Sequence, residues 1–411
     1  MNNNLFILAG NGSYDNRGCE AITKGTIKIL RHHFDNPKFV VLNLYSSEEQ
    51  FKKQISEESD ENILHKKTFI FNKSMPVRIF NKLRFSLQSQ DRRIKTIYKE
   101  ILPHLKESEA VLSLGGDNYS LDYGKPTIFT DLDNLVLSRR KPMIIWGASV
   151  GPFSKLPSYE EYMKEHFKKI TGIFARESLT VDYLANIGIT KNVYRVADPA
   201  FLVDAVEPPE DKFNKKIPDG AIGINLSYLM ANYAMAGDLN KWTNYCVKIV
   251  EKVIEETRRP IYLIPHVAGL GPSDHYFCQK VLSLINVKQG EIVLIPDNLN
   301  FQETKWIINK MFVFLGSRTH SMISALSAGV PAVSLVYSMK GKGINRDFYG
   351  NDNFCIEKDK MSPEVIAQKI NELIKNQPAL KKQIVSVLPK VRELALDAGK
   401  YLKDIIACQK T

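Results

Sequence analysis

The sequence lacks the residue patterns that mark disulfide-stabilised, zinc-binding and membrane-spanning proteins. Its five cysteines are odd in number and widely spaced, and none of them forms a CxxC pair. That spacing excludes a disulfide framework and a cysteine zinc site, and it is typical of a reducing compartment. No apolar run approaches the roughly 20 residues that a bilayer-spanning helix needs. Because the N-terminal stretch reads as a first strand rather than a secretion signal, we expect a cytoplasmic protein.

Several catalytic and cofactor-binding motifs are also absent. The chain has no GxSxG elbow and no phosphate-binding P-loop. The glycines of its first turn, Gly10, Gly12 and Gly18, do not have the dinucleotide spacing GxGxxG. The histidines do not occur four residues apart together with a carboxylate. We therefore expect neither a metal nor a cofactor.

The charge balance is basic, with 56 Lys and Arg residues against 45 Asp and Glu residues and a formal net charge of +11. Nucleic acid is one class of partner for such a chain. The sequence has no aromatic-basic RNA motif and no recognition-helix pattern, so we expect no nucleic acid. An anionic small molecule or an anionic membrane surface explains the charge equally well.

The most basic segment is 73–99, which carries eight Lys or Arg residues and a single acidic residue, Asp91. A basic amphipathic segment can lie on a membrane, and it would then hold the protein at the inner face as a peripheral contact. The alternative, which we favour, is a solvated helix face on a basic protein.

Short apolar runs alternate with helical patterns along the whole chain, which is the signature of parallel α/β folding. At roughly 100–200 residues per domain, two domains are expected. Residues 204–219 are rich in proline and charge and form the best boundary. We predict two Rossmann-like domains that face a central cleft, with a C-terminal helix crossing back. The predicted bounds are 1–205 for the first domain, 206–219 for the linker, 220–385 for the second domain and 386–411 for the last helix.

The stretch 311–337 predicts a strand, a turn, a helix over 319–327 and a second strand. Arg318 and His320 lie where this helix begins. Backbone N–H groups are unpaired at a helix start and the helix dipole is positive there, so the position favours anions. We expect an anionic substrate here, with His320 moving a proton. The alternative is that Ser317 caps the helix and His320 is exposed on its first turn.

Polar and glycine-rich turns follow three predicted strands of the first half. Glycine lets backbone N–H groups come close to a ligand, and several such turns at carboxyl strand ends indicate a binding edge. Turn formation alone is the alternative for each single glycine. The candidate residues are Asn11, Asn16 and Arg17 in the first turn, Gly115, Gly116, Asp117 and Asn118 in the second, and Ser149 in the third.

Three further polar residues follow buried strands. Arg176 ends such a strand, where a charged residue is unusual unless it is paired or faces a cleft. A salt bridge to Glu177 or Asp198 is the alternative. His266 ends the run LIPH, and there we favour a satisfied structural histidine over a ligand contact. Lys340 follows the last core strand, close to the predicted anion site.

Taken together, these motifs resemble the polysaccharide pyruvyl transferase family over roughly residues 5–350. The resemblance rests on the order and spacing of NRGCEAI, LSLGGD, WGASVGPF, FARESLTVDYLANIG, ADPAF and above all GSRTHSMISALSAGVPAVSLVYSMK. It implies a two-domain fold of the glycosyltransferase-B type. It also implies transfer of an enolpyruvyl-derived group from phosphoenolpyruvate to two hydroxyls of a sugar, giving a pyruvate ketal and phosphate. The implied acceptor is a sugar of a cell-surface polysaccharide (an exopolysaccharide) or its precursor, free or lipid-linked.

The resemblance also implies roles for single residues. His320 matches the family's histidine and is the expected general acid, because histidine titrates near neutral pH. Arg318, Arg176 and Lys340 match basic positions suited to the donor's carboxylate and phosphate. Asp117 is a weaker candidate base for the acceptor hydroxyl. The other expected substrate contacts are Asn11, Asn16, Arg17, Gly115, Gly116, Asn118, Ser149, His266 and Ser317.

The main rival function is a glycosyltransferase of the same fold that uses a nucleotide sugar. Such enzymes commonly hold the ribose with a carboxylate near the start of this helix. Residues 317–330 contain no Asp or Glu, which favours a compact phosphorylated donor. The chain departs from the family's expected pattern at Arg17-Gly18-Cys19-Glu20 and at Asp117, which replaces a third glycine. Both departures lie in the predicted acceptor domain and concern the identity of the sugar.

Overall fold

The structure is a computed structural model that describes residues 4–69, 89–269, 273–286, 292–336 and 339–410, with the backbone alone at 69, 339, 340 and 410. The chain divides into two compact units. Unit 1 comprises Met1–Tyr14, Ile22–Pro199 and Glu393–Thr411, and unit 2 comprises Asp15–Ala21 and Ala200–Arg392. Each unit is built on a parallel sheet, as the alternation of apolar runs predicts.

Seven parallel strands form the sheet of unit 1 within the described residues: β1 (Leu5–Gly12), β2 (Lys38–Tyr45), β3 (Ile63–Phe69), β4 (Ala110–Leu114), β5 (Met143–Ala148), β6 (Gly172–Ala175) and β7 (Val193–Arg195). They lie in the order β3-β2-β1-β4-β5-β6-β7. This is the Rossmann order, in which the chain winds outward from β1 in both directions. It brings the polar turns after β1, β4 and β5 to one edge of the sheet.

The helices of unit 1 alternate with its strands and cover both faces of the sheet. In the described part of the chain they are α1 (Arg17–His33), α2 (Glu48–Ser56), α3 (Gln90–Ile97), α4 (Leu102–Leu105), α5 (Thr127–Ser138), α6 (Pro157–Phe167) and α7 (Ser178–Asn186), with a 3₁₀ turn at Lys99–Ile101. The central strands contribute Ile7, Val111 and Ile145 to the core, each 0% exposed. Strands buried on both faces read as continuous apolar runs, which is why they are visible in the sequence.

Unit 2 repeats this plan with six strands among its described residues: β8 (Ile222–Asn225), β9 (Ile261–Leu263), β10 (Ile292–Leu294), β11 (Val313–Gly316), β12 (Ala332–Val336) and β13 (Cys355–Glu357). Their order is β10-β9-β8-β11-β12-β13, and every pairing is parallel. The helices are α8 (Met230–Ala234), α9 (Leu239–Thr257), α10 (Asp274–Leu284), α11 (Phe301–Asn309), α12 (Thr319–Ser327), α13 (Met339–Tyr349) and α14 (Pro363–Lys375), with 3₁₀ turns at Pro199–Leu202 and Lys358–Lys360. The helix predicted over 319–327 is confirmed.

The units separate between residues 199 and 200, ahead of the predicted linker 206–219. Phe213 within that stretch lies in the core of unit 2 with 9% exposure. Lys212 Nζ donates to Glu303 Oε1 at 2.9 Å. The stretch therefore packs as part of unit 2, because an aromatic anchor and an ion pair outweigh its proline-rich and charged composition.

The last helix, α15 (Gln377–Lys410), is divided between the units at residue 392. Its first part packs in unit 2, where a Cβ on Gly329 would lie 2.9 Å from Val385 Cγ2. Its second part packs in unit 1, where His33 Nε2 lies 2.9 Å from the carbonyl oxygen of Leu396. The predicted break near Pro378 is confirmed as the boundary between α14 and α15. The predicted start at residue 386 is too late, because proline is tolerated in the first turn of a helix.

No helix in the described parts of the chain is both long and apolar enough to span a bilayer. Of the basic segment 73–99, residues 73–88 lie outside the described residues. The remainder leads into α3, where the Arg93 guanidinium donates to both carboxylate oxygens of Asp131 at 2.6 Å and 2.9 Å.

Candidate functional site

The carboxyl edge of the unit 2 sheet is tied together by Asn225, the last residue of β8. Its Oδ1 accepts from the Arg318 N–H at 3.0 Å and from the Ser321 hydroxyl at 3.1 Å, and its Nδ2 donates to the Ile264 carbonyl at 2.9 Å. The Ser317 hydroxyl donates to the Asn225 carbonyl at 2.8 Å. One buried amide thus fixes the ends of three neighbouring strands and the start of α12.

The N-terminus of α12 has no side-chain cap. Arg318 occupies the N-cap position without a capping hydrogen bond from its side chain, and Ser317 donates elsewhere, so the capping alternative for Ser317 is wrong. A small cavity, partly open to solvent, borders this helix start. Ser317, Arg318 and Thr319 line it on the turn side, and Ser334 and Asn345 line it among apolar residues. The cavity therefore lies beside helix N–H groups and the Arg318 cation, a combination that suits an anion.

Arg318 is held by a carboxylate that lies far away in sequence. Its Nη2 donates to Asp274 Oδ1 at 2.8 Å and its Nε to Asp274 Oδ2 at 3.1 Å. Asp274 is 0% exposed and also accepts from the Val267 N–H at 3.1 Å. The guanidinium carbon lies 5.5 Å from the centre of the Tyr228 ring. A bidentate pair and a ring contact fix the orientation of a cation whose side chain remains 15% exposed.

His266 is buried at this edge, with 1% exposure, and neither of its ring nitrogens has a hydrogen-bond partner among the described residues. The ring lies edge-on to Phe301, with the two centroids 5.9 Å apart. Burial lowers the pKa of His266 well below its usual range, and the charges of His320, Arg318 and Arg17 lower it further. The imidazole is therefore neutral. The expectation of a satisfied structural histidine is wrong, because its hydrogen-bonding capacity is unused.

The first turn of α1 belongs to unit 2 and meets the same edge. The Arg17 N–H donates to the His266 carbonyl at 3.0 Å, and Arg17 Nη2 donates to the Asp297 carbonyl at 2.9 Å. Asn16 Oδ1 accepts from the Gly18 N–H at 3.0 Å, so Asn16 caps this helix. A Cβ on Gly18 would lie 2.4 Å from His320 Nδ1. The starts of α1 and α12 therefore meet at the His320 ring, and only glycine fits between them.

Unit 2 thus brings six predicted residues to one edge: Asn16, Arg17, His266, Ser317, Arg318 and His320. Two helix N-termini and two guanidinium groups surround a pair of imidazoles there. Glu20 also approaches and accepts from the Phe301 N–H at 2.9 Å. Such a set can bind a small anion and transfer a proton. Within the described residues, no group of three or more His, Cys, Asp and Glu residues is arranged to hold a metal.

Unit 1 places a second arginine at its own carboxyl edge. Arg176 Nη1 donates to Asp198 Oδ2 at 2.7 Å, and Arg176 Nε donates to Ser149 Oγ at 2.9 Å. Both charged side chains are 1% exposed. A Cβ on Gly116 would lie 2.4 Å from Arg176 Nη1, so glycine is required against the guanidinium. The salt bridge with Asp198, one of the two sequence alternatives, is the arrangement in the structure.

The other predicted residues of unit 1 also hold the edge together. Asn118 Nδ2 donates to the carbonyls of Gly10 at 3.0 Å and Leu114 at 2.8 Å, which ties β1 to β4. The same amide packs against Gly115, whose φ of 137° is accessible mainly to glycine. Asn11 Nδ2 donates to Thr23 Oγ1 at 3.0 Å. Asp117 follows in the same turn as Asn118 and is partly exposed.

Two residues of the site, Asp274 and Asn225, were not predicted from the sequence. A third residue, Lys340, was predicted, but its side chain cannot be compared with the structure. Asp274 follows Ser273 at a helix start, where an acidic residue is ordinary, so no local signal marks it. Asn225 ends an apolar strand without any motif. The side chain of Lys340 lies outside the described residues, so its expected contact with the donor stays a prediction.

The comparison with protein families matches residues 16–339 to the model described as polysaccharide pyruvyl transferase. The chain belongs to this family. It is 22% identical over 408 residues to the amylovoran biosynthesis protein AmsJ of Erwinia amylovora, an alignment that covers 95% of this chain and 96% of that protein. The family places the chain among the pyruvyltransferases of polysaccharide biosynthesis, as the sequence motifs predict.

The solved structures similar to this pyruvyltransferase show its fold alone. A UDP-N-acetylglucosamine 2-epimerase from Listeria monocytogenes aligns with a TM-score of 0.61 at 13% identity, covering 93% of this chain and 91% of that one. A UDP-glucose:anthocyanidin 3-O-glucosyltransferase in complex with UDP aligns with a TM-score of 0.59 at 10% identity, covering 99% and 100%. The predicted class, two parallel α/β domains of the glycosyltransferase-B type, is confirmed.

Proposed function

We propose that this transferase uses phosphoenolpyruvate as donor and forms a cyclic pyruvate ketal on two hydroxyls of one sugar. The observation that carries the proposal is the setting of His320. It lies in the first turn of α12, against the start of α1, beside the fixed cation Arg318 and the neutral imidazole of His266. A donor that carries both a carboxylate and a phosphate needs this concentration of positive potential.

His320 supplies the proton that starts the reaction. It protonates the methylene carbon of the donor, and the adjacent carbon takes on oxocarbenium character. One sugar hydroxyl forms a C–O bond to that carbon, the C–O bond to phosphate breaks, and the second hydroxyl closes the ketal. Two hydroxyl protons are lost in total; one balances the new C–H bond and the other leaves with phosphate.

The other residues of unit 2 bind and orient the donor. Arg318 offers a guanidinium held in place by Asp274, which lowers the entropic cost of capturing an anion. His266 is neutral, and its unused nitrogens can exchange hydrogen bonds with His320 or the donor. Lys340 and Arg17 add positive charge. The start of α12 supplies backbone N–H groups to the donor phosphate.

The residues of unit 1 hold the acceptor. Asp117 is the proposed base for the attacking hydroxyl, while Asn11, Gly115, Gly116, Asn118 and Ser149 shape the edge around it. Arg176 completes the edge by fixing Gly116 and Ser149. The acceptor is a sugar of a cell-surface polysaccharide or of its lipid-linked precursor.

The test compares donors on the purified full chain. Phosphoenolpyruvate and UDP-glucose are each incubated with a panel of oligosaccharides, and phosphate release and the acceptor mass are followed. The proposal expects phosphate release with phosphoenolpyruvate and a mass gain corresponding to one pyruvate ketal. Turnover with UDP-glucose and none with phosphoenolpyruvate would overturn it in favour of a glycosyltransferase, the alternative that the UDP-bound structural neighbour represents.

A further inference from the structure

Helix α6 of unit 1 carries a pair of stacked tyrosines beside the carboxyl edge of its sheet. Tyr159 and Tyr162 have ring centroids 5.4 Å apart and planes inclined by 25°. Tyr162 is 47% exposed. The helix begins after the turn that leaves β5 at Ser149, a residue of the proposed acceptor edge. We name Tyr159, Tyr162 and Lys125 the tyrosine platform.

The platform is held in place from below by a buried polar network that the proposed chemistry does not use. Tyr162 stacks on His166, with the centroids 6.1 Å apart and the planes inclined by 17°. His166 Nε2 lies 2.8 Å from Asp133 Oδ2, and the Tyr119 hydroxyl donates to Asp133 Oδ1 at 2.7 Å. Asp133 is 0% exposed. An exposed ring fixed in this way loses little further conformational entropy when a ligand binds on it.

The platform includes a cation, Lys125, that is available to a ligand. Lys125 Nζ lies 4.8 Å from the centre of the Tyr159 ring, and it has no carboxylate partner among the described residues. Of the cations nearby, Arg93 is paired with Asp131, Lys164 with Glu161 and Lys168 with Glu165. The platform therefore presents an aromatic face next to an unneutralised ammonium group.

We propose that the tyrosine platform binds the acceptor saccharide away from the reacting sugar, and that this saccharide carries a carboxylate. An aromatic face is electron-rich, and it attracts the polarised C–H groups on the apolar face of a pyranose ring. Lys125 supplies the charge complementary to a carboxylate. This inference rests on the proposed function, because the pyruvate ketal it forms adds a carboxylate to the saccharide, so a chain already modified elsewhere becomes a better ligand of this surface.

The test measures binding without donor, so that it does not depend on turnover. Hexasaccharides of hyaluronan and of polygalacturonate are titrated calorimetrically into the full chain, with neutral cellohexaose and the matching disaccharides as comparisons. We expect the acidic hexasaccharides to bind more tightly than the disaccharides and than cellohexaose. Tyr162→Ala weakens that binding about fivefold to tenfold, while Tyr162→Phe keeps it because the ring face remains. Lys125→Gln removes the preference for acidic over neutral hexasaccharides.

The matched control is Tyr276→Ala in unit 2, where the tyrosine is 66% exposed and lies on α10; we expect unchanged binding. Equal affinities of the wild type and Tyr162→Ala for the acidic hexasaccharides would overturn the inference, as would a wild type that binds none of the panel. If binding depends on Tyr162 but no phosphate is released from phosphoenolpyruvate, the proposed function is wrong. The inference that the tyrosine platform binds the saccharide would then still hold.

Discussion

Each unit carries one Arg–Asp ion pair at the carboxyl edge of its sheet, and the surroundings of the two pairs differ. In unit 1, Arg176 and Asp198 are both 1% exposed, and Ser149 accepts from the remaining Nε–H. In unit 2, Asp274 is buried but the Arg318 side chain is 15% exposed and borders a cavity. Both members of the ion pair are therefore buried in unit 1, whereas in unit 2 the arginine is accessible to solvent.

The difference extends to the neighbours of each pair. In unit 1, the Asn118 amide donates to a backbone carbonyl and the Asn11 amide donates to a threonine hydroxyl. In unit 2, both ring nitrogens of His266 lack partners among the described residues. Buried polar groups are normally hydrogen-bonded, and one that is not retains free energy that a ligand can release. We infer that the sealed Arg176–Asp198 pair is part of the scaffold of unit 1, whereas the open Arg318–Asp274 pair lies where the donor is bound and activated.

The largest effect is expected from removing the proton donor of the open edge. His320→Gln keeps the size and polarity of the side chain but cannot act as a general acid near neutral pH. We expect turnover to fall by about 10²–10⁴-fold, with the melting temperature nearly unchanged because the residue is partly exposed. Phosphate release and calorimetry measure the two quantities. A fully active variant would move the chemistry away from the unit 2 edge.

Neutralising the aspartate of each ion pair tests the comparison directly. Asp198→Asn leaves the Arg176 charge buried without compensation, so we expect the free energy of unfolding to fall by about 3–5 kcal/mol. Asp274→Asn leaves Arg318 able to reach water, so the expected loss is about 1–2 kcal/mol, with a marked rise of the KM for phosphoenolpyruvate. Denaturant unfolding and steady-state kinetics provide the readouts. Equal stability losses would mean that the two pairs are equivalent.

Two glycines of α1 allow a matched substitution. Gly18→Ala places a Cβ 2.4 Å from His320 Nδ1, whereas Gly25→Ala places one 2.2 Å from the Pro199 carbonyl oxygen in unit 1. A side chain can move and a backbone carbonyl cannot, so Gly18→Ala should cost up to about 10²-fold in turnover by displacing His320. Its effect on stability should be small, because alanine favours a helix.

Gly25→Ala should instead lower the melting temperature and leave the turnover of the folded fraction intact. If Gly18→Ala and Gly25→Ala lose turnover and melting temperature in the same proportion, the proposed difference between the two sheet edges is wrong.

The smallest effect expected is a pH dependence that His266 imposes. Its pKa is lowered in the folded state by burial and by the nearby positive charges. Below the pKa of the unfolded chain, His266 is therefore protonated in the unfolded state but not in the folded state. Stability is therefore present above the unfolded pKa of about 6.5 and is lost as the pH falls below it, at up to about 1.4 kcal/mol per pH unit. His266→Gln should show a shallower decline between pH 6.5 and 5 in denaturant unfolding. Parallel declines would show that His266 is protonated in the fold.

The sequence allowed the sheets and the helix α12 between two of their strands to be predicted, because strands buried on both faces leave continuous apolar runs. The position of Arg318 and His320 at a helix start was also predictable, and the anion-binding role of this turn stays a prediction. Edge elements such as β13 were missed, since three residues carry too little periodicity.

The partners of the site residues could not be predicted for a different reason. Residues 317–330 contain no acidic residue, yet a carboxylate lies beside Arg318, because Asp274 arrives from α10. Likewise, nothing local assigns residues 15–21 to unit 2. Both facts arise from tertiary packing between segments remote in sequence.

The division of α15 bears on how the chain is made. Unit 1 contains the earliest strands but also Glu393–Thr411, and its Gly172 packs against Ile405, where a Cβ would lie 3.1 Å from Cδ1. During synthesis those last residues leave the ribosome after every strand of both sheets. Unit 1 thus lacks part of its packing until residues 393–411 have emerged, and a nascent chain stalled before residue 393 exposes the apolar surface that the end of α15 covers, making it a substrate for chaperones.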